Sequence, residues 1–345
     1  MGAEELASVV VAEKEAPPPP PLVIGLQPSA LVDHVARVDW ALLHSIPGER
    51  GGSQQVGFDD LKHILNEVNS HILPSPEDLS PVRTMAGGSV ANTIRGLAAG
   101  LGISCGIVGA CGDDEQGCMF VHNMSSNGVS ISRLRVKKGP TGQCVCLVDA
   151  LGNRTMRPCL STAVKLQADE LSQEDFRGSK MVRNFRSHLL EILKSGQIDL
   201  CFANEDEARE LMRGEPNSDP ESALGFLSRH CKWAVVTLGS KGSIAKHGKE
   251  IVRVPAIGEA RAIDATGAGD LFASGFLYGM IRGLSLEDCC KVGSCSGGSV
   301  IRALGGEVRL ENWQWMYKEL LAQGLPLPDL TDDSTILTKS EKMTT

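Results

Sequence analysis

From Ile198 onward, short β-rich runs alternate with helical stretches, and this alternation restricts the fold more than any other feature of the chain. Ile198 to Ala203 reads as a strand, 205–213 and 220–231 as helices, Trp233 to Leu238 as a strand, and 243–254 as a strand pair. Helical stretches then follow at 268–283, 286–303 and 311–322. Strands separated by helices predict a parallel sheet flanked by helices, with ligands at the carboxyl ends of the strands. The amino-terminal half is compatible with this. Leu22 to Leu26 and Ile103 to Val108 read as buried strands, and Leu61, Ile64, Leu65, Val68 and Ile72 follow helical spacing. Val129 to Val136 and Gln143 to Val148 are β-rich runs joined by a turn at Gly139-Pro140, which predicts a small β lid over about 129–149.

Residues 1–21 end in the run Pro17 to Pro21 and read as a disordered leader, and 325–345 thins into a polar tail. One domain over 22–324 is expected between them. The net charge of −8 leaves no basic footprint for nucleic acid or for an anionic membrane. With 4% aromatic residues the chain also lacks the makings of a base-stacking platform. The longest proline-free uncharged stretch, Gly96 to Gly112, is too short and glycine-rich to span a bilayer, and Glu4, Glu5, Glu13 and Glu15 are wrong for a signal peptide. A small-molecule partner and a cytoplasmic protein, monomer or homodimer, are the expectation. The 11 cysteines contain no Cys-x2-Cys pair and read as reduced core thiols, with Cys144 and Cys146 as strand neighbours on one face.

The sharpest local signal is Asp264-Ala265-Thr266-Gly267-Ala268-Gly269-Asp270, which opens the apolar helix Leu271 to Met280. Small residues at Gly267, Ala268 and Gly269 let backbone amides at a helix amino terminus approach an anion, and Asp270 in the first turn is placed to accept a hydroxyl proton. Simple capping of the helix explains the same residues equally well. A second signal, Ala86-Gly87-Gly88-Ser89-Val90-Ala91-Asn92, brings backbone close to a ligand and adds an amide that can bond hydroxyls both ways.

In this order the segments resemble the PfkB/ribokinase-like family of small-molecule kinases, over about Leu22 to Leu321. The resemblance rests on Gly87, Gly88 and Asn92, then on Gly109 to Gly117, Asn204-Glu205-Asp206-Glu207, Val235 to Gly242 and 264–270. It implies a ribokinase-like α/β fold and ATP-dependent phosphorylation of an alcohol. Asp270 would be the base, and Gly267, Ala268 and Gly269 the anion hole. Asn204 and Glu207 would organise Mg²⁺ through water, while Thr237, Gly239 and Gly242 would line the nucleotide side with Asn204. Asp264 and Thr266 match positions that hold a monovalent cation, K⁺, in some members. Asp33, with Gly87, Gly88 and Asn92, would bind the acceptor. The wording around Gly87 to Thr93, with Arg154-Thr155-Met156, is closest to adenosine-kinase-type members, so a purine nucleoside leads over ribose or fructose.

Three departures accompany the resemblance. Ser29 stands where members carry Asp or Asn, and Ala265 where they carry Thr, Cys or Pro. Between Cys159 and Ile198 the family's strand-helix-strand unit, which needs on the order of 30 residues, is missing. The chain passes from Lys180 straight into a helix-like run, Met181 to Leu193. A noncatalytic binding or regulatory protein is therefore the alternative function.

Overall fold

The computed structural model describes residues 21–73, 82–161, 164–177, 179, 181–184, 193–213, 217, 219–258 and 262–329. The leader as far as residue 20 and the tail from residue 330 lie outside these. The chain divides into two compact units, one of 1–185, 262–267 and 300–309 and one of 186–261, 268–299 and 310–345.

The first unit holds two four-stranded sheets. One has the order β5-β4-β1-β8, built from β1 (Val23–Gln27), β4 (Cys105–Gly112), β5 (Val129–Lys137) and β8 (Met181–Asn184). All of its pairings are parallel. Between β4 and β5 runs helix α4 (Glu115–Ser126), whose first turn is capped by Asp114 accepting from the Gly117 amide at 2.9 Å. The three elements thus form a βαβ crossover. That corrects the first half of the expected lid, while the second run, 142–148, does belong to a small separate sheet. A parallel neighbour needs a crossover helix, α4 supplies one, and β5 joins the main sheet instead of forming a hairpin with the following strand.

The small sheet has the order β3-β2-β6-β7 and consists of β2 (Leu31–Arg37), β3 (Val82–Gly87), β6 (Gly142–Val148) and β7 (Arg154–Cys159). One face packs Ala36, Val145 and Leu147 against Leu42 of α1 (Trp40–Ser45) and Leu61, Ile64 and Val68 of α2 (Phe58–Val68). The other carries Val35, Met85, Cys144, Cys146 and Val148. Helix α3 (Ser89–Leu101) lies over β1, since a Cβ on Gly25 would meet Val90 and Ile94.

The second unit is built on the sheet β12-β11-β10-β9, from β9 (Leu200–Asn204), β10 (Trp233–Thr237), β11 (Ser243–His247) and β12 (Glu250–Val254). Alternate residues of β10 point to opposite faces, so both faces are covered. Ala234 and Val236 meet Ala208 of α5 (Glu205–Leu211) and Leu224 and Leu227 of α6 (Pro220–Leu227). Val235 meets Phe272 and Phe276 of α7 (Ala268–Ile281) and Cys289 of α8 (Leu286–Val300), and Phe202 sits edge-on to Phe276 with ring centroids 5.4 Å apart. Helix α9 (Leu310–Ala322) buries Trp313, Met316 and Leu320.

The expected helix over Met181 to Leu193 is corrected at its start: residues 181–184 form β8, hydrogen-bonded in parallel to β1, Leu193 is helical, and 185–192 lie outside the described residues. The open edge of β1 needs backbone partners, and this segment supplies them. As described, β8 pairs only with β1, and β9 only with β10, so each ends its sheet.

Candidate active site

The acceptor-side residues belong to the first unit. Asp33 lies in β2 and is 6% exposed. Gly87 ends β3 opposite Leu31, and a Cβ there would fall 2.2 Å from the Asp33 carboxyl carbon, so only glycine leaves the carboxylate in place. Gly88 caps α3 with φ 92°, the left-handed region in which glycine is strain-free. The structure adds a residue that sequence reasoning missed. Gln27, at the end of β1, donates through Nε2 to the Gly87 carbonyl at 3.2 Å and accepts the Ala91 amide at Oε1 at 3.0 Å. One side chain thereby fixes both sides of the glycine turn. Ser29, the departing position, has its hydroxyl committed to the Val164 carbonyl at 2.8 Å.

Asn92 is 4% exposed, and its Oδ1 accepts from Arg95 Nη2 at 2.9 Å. Arg95, itself 2% exposed, also donates to the Ala86 carbonyl at 2.7 Å, to Asn123 Oδ1 at 2.7 Å and to the Gly306 carbonyl at 3.1 Å. Gly306 in turn backs Gly267, where a Cβ would stand 3.0 Å from the Gly306 Cα. Arg95 therefore ties the 86–92 wall to the chain behind Gly267. Nothing in the sequence pattern marked it, because a fully buried arginine is rare.

Asp264 is wholly buried and holds the 264–267 turn. Oδ1 accepts from the Thr266 amide at 2.8 Å and its hydroxyl at 2.7 Å, and Oδ2 from the Gly305 amide at 2.8 Å. All three donors are neutral. A carboxylate offers about four lone-pair sites, so one is left for a cation, and a buried carboxylate met only by neutral donors suits one. Asp264 and Thr266 thus fit a monovalent ion. Gly267 follows with φ 78°.

Ala268, Gly269 and Asp270 open α7 in the second unit. A Cβ on Gly269 would meet nothing within 4 Å, so the backbone there faces the open space an anion cradle requires. Asp270 is half-buried in the first turn. Asn204 and Thr237 are register partners at the carboxyl ends of the parallel strands β9 and β10. Asn204 and Glu207 form a reciprocal capping box, with the Glu207 amide donating to Asn204 Oδ1 and the Asn204 amide to Glu207 Oε2, each at 2.8 Å. The other oxygen of this exposed carboxylate has no hydrogen-bond partner among the described residues, which fits a water-mediated Mg²⁺ contact. Gly239 has φ 57° and open space around it. At Gly242 a Cβ would lie 2.0 Å from the Val254 carbonyl, so this glycine serves the turn into β11.

The structure thus brings Asp33, Gly87, Gly88 and Asn92 together in one unit, with Asp264, Thr266 and Gly267 also there. It brings Asn204, Glu207, Thr237 and Gly239 together in the other, which also holds Asp270 at the start of its central helix. The sequence model described as pfkB family carbohydrate kinase matches residues 62–183 and 175–313. The chain belongs to the pfkB family. A solved structure of adenosine kinase from Sinorhizobium meliloti is 29% identical, with a TM-score of 0.73 over 85% of this chain and 98% of that one. A probable sugar kinase protein from Rhizobium etli is 25% identical, with a TM-score of 0.74 over 89% of this chain and 99% of its own. An uncharacterized sugar kinase from Archaeoglobus fulgidus is 23% identical over 239 residues, 59% of this chain and 94% of the relative. The chain has a ribokinase-like α/β fold, which it shares with the two solved structures. Family membership makes the chain a phosphotransferase by class, with an alcohol group as acceptor. Among the described residues no helix is long and apolar enough to cross a membrane.

Proposed function

We propose that this pfkB-family chain is an ATP-dependent kinase that transfers the γ-phosphate to a hydroxyl of a small nucleoside or sugar, a purine nucleoside first and ribose or fructose next. The observation that carries this is the 264–270 segment. A buried Asp264 pins the turn through Thr266 and Gly305, Gly267 takes a left-handed conformation, and α7 begins at once with an open Gly269 and a half-buried Asp270. Such a turn exposes amides to an anion at a helix start and sets a carboxylate beside it.

In the reaction the acceptor oxygen attacks the γ-phosphorus, Asp270 takes the hydroxyl proton, and ADP leaves with the electrons of the broken P–O bond. The Gly267, Ala268 and Gly269 amides hold the transferring oxygens. Asp33, kept in place by the bare Gly87, orients the acceptor hydroxyl together with Gly88 and Asn92. Asn204, Thr237 and Gly239 receive the nucleotide, and Glu207 would help to hold Mg²⁺. When bound, Mg²⁺ neutralises charge on the phosphates. Asp264 and Thr266 would hold K⁺, which would add positive charge beside the turn. Lead status for a nucleoside rests on the 29% identity to the Sinorhizobium meliloti adenosine kinase and on the wording at 86–93.

A second reading, a binding protein without turnover, is supported by β8 and β9, each ending its sheet as described, in the stretch where the sequence lacks room for the family's strand-helix-strand unit. A thermal-melt panel with ATP·Mg²⁺ and candidate nucleosides and sugars, run beside ADP release, separates the two. A ligand at 100 times its Kd adds about 2.7 kcal/mol to the native state. Stabilisation with ADP release supports the kinase and stabilisation without it the binding protein. No stabilisation by any of them overturns both.

A further inference from the structure

Asp33 and Cys144 are register partners in the parallel β2–β6 pair, so their side chains leave the small sheet on one face. Cys146, two residues on, shares that face. The two sulfurs are 3.7 Å apart, and one Asp33 oxygen and both sulfurs all lie within 4.8 Å of one another. All three residues are buried, at 6%, 3% and 1% exposure. No other group of three His, Cys, Asp or Glu side chains among the described residues comes this close together.

The sulfur separation has a direct chemical reading. Two thiolates on a tetrahedral zinc, at about 2.3 Å from the metal, stand about 3.8 Å apart. The observed spacing matches that without movement of the strand. A carboxylate ligand at about 2.0–2.2 Å would stand about 3.5 Å from each sulfur, so a side-chain shift of about 1 Å completes the set. Two sulfurs and one oxygen leave the fourth position to water, and soft sulfur donors select a thiophilic ion over Mg²⁺ or Ca²⁺. We propose that Asp33, Cys144 and Cys146 form a binding site for a thiophilic divalent cation, Zn²⁺ in the first instance. On binding, both thiol protons leave to solvent and two sulfur–metal bonds form.

The consequence for activity rests on the reading of Asp33 as the acceptor carboxylate. A carboxylate drawn about 1 Å toward the sulfurs to ligate the ion leaves the position from which it holds the acceptor hydroxyl, so each opposes the other, and the opposition is reciprocal. Zn²⁺ then inhibits by competing with the phosphate acceptor and not with ATP.

The site itself is tested without either substrate. Metal-free full-length chain is titrated with Co²⁺, whose thiolate charge-transfer absorption reports sulfur ligation. We expect one equivalent to bind with that absorption. Cys144→Ser and Cys146→Ser should each lose at least half of it, and the double variant all of it, each single change weakening binding by more than the roughly 10–100-fold that loss of an outer-shell partner costs. Cys289→Ser, a buried thiol elsewhere, should leave it intact. Absence of the absorption in the parent chain, or its undiminished survival in both single variants, overturns the site. Should those variants fail to fold, zinc X-ray absorption on the unmodified chain decides: a shell with two sulfurs supports the site, and a shell without sulfur overturns it. If the ion binds as described but inhibition does not compete with the acceptor, the metal site stands and the reading of Asp33 falls.

Discussion

Removing Arg95 tests the framework behind the acceptor wall. Arg95→Ala deletes four hydrogen bonds from a guanidinium that is 2% exposed, to Ala86, Asn92, Asn123 and Gly306. Each charged bond is worth about 1.5–3 kcal/mol, and the acceptors stay behind in a dry site. Against that, the variant no longer keeps a charge out of water, which recovers several kcal/mol. The balance is a loss of about 3–5 kcal/mol, a large share of the roughly 5–15 kcal/mol that holds a typical domain folded. Arg95→Lys keeps the charge but can reach only part of the set, so about half that loss is expected. The assay is urea unfolding read by hydrogen exchange at the amides of 82–101, with the amides of 268–281 as the reference. Exchange at 82–101 should open at markedly lower urea and the reference should hold. A loss under about 1 kcal/mol, or an equal loss at both sets, would refute the reasoning that these bonds, and not general packing, anchor the wall.

Asp270→Asn should keep ATP binding and lower turnover by roughly 10²–10⁴-fold, and equal turnover rejects the base. Gly269→Val should cut ATP-dependent turnover while leaving the melting temperature nearly unchanged, because a Cβ there meets nothing within 4 Å. A collapsed melt would show that the glycine serves packing. Gly242→Ala should do the reverse and destabilise by about 1–3 kcal/mol, since φ is 93° and the new Cβ would meet the Val254 carbonyl; an unchanged melt would contradict the turn role. Inserting a strand-helix-strand unit between Lys180 and Met181 should raise the urea midpoint and the rate of ADP release well above those of the 345-residue chain, and equal values for the two forms would show the chain has closed its sheet another way.

What was legible in the sequence was whatever depends on neighbours along the chain. The β9 to α9 succession follows from local periodicity, and the 264–270 segment stands out because small residues and two acids at a helix start are an unusual local pattern. The Asn204 and Glu207 spacing carried a further signal, a capping box, that was readable and passed over in favour of metal chemistry. What stayed hidden depends on partners far away. Val129 to Val136 is β-rich, but composition does not say whether such a run pairs with β4 or with β6, and the crossover through α4 decides. Met181 to Asn184 reads as helix by its neighbours and becomes a strand because β1 has an edge to fill. Arg95 and Gln27 were invisible for the same reason, since their bonding partners lie up to 211 and 64 residues away. Two of these hidden cases meet on β1: it carries Gln27 at the acceptor turn and pairs in parallel with β8 along one edge, so a slip of β8 would act on the Gly87–Gly88 turn through Gln27, a coupling that neighbours along the chain do not show.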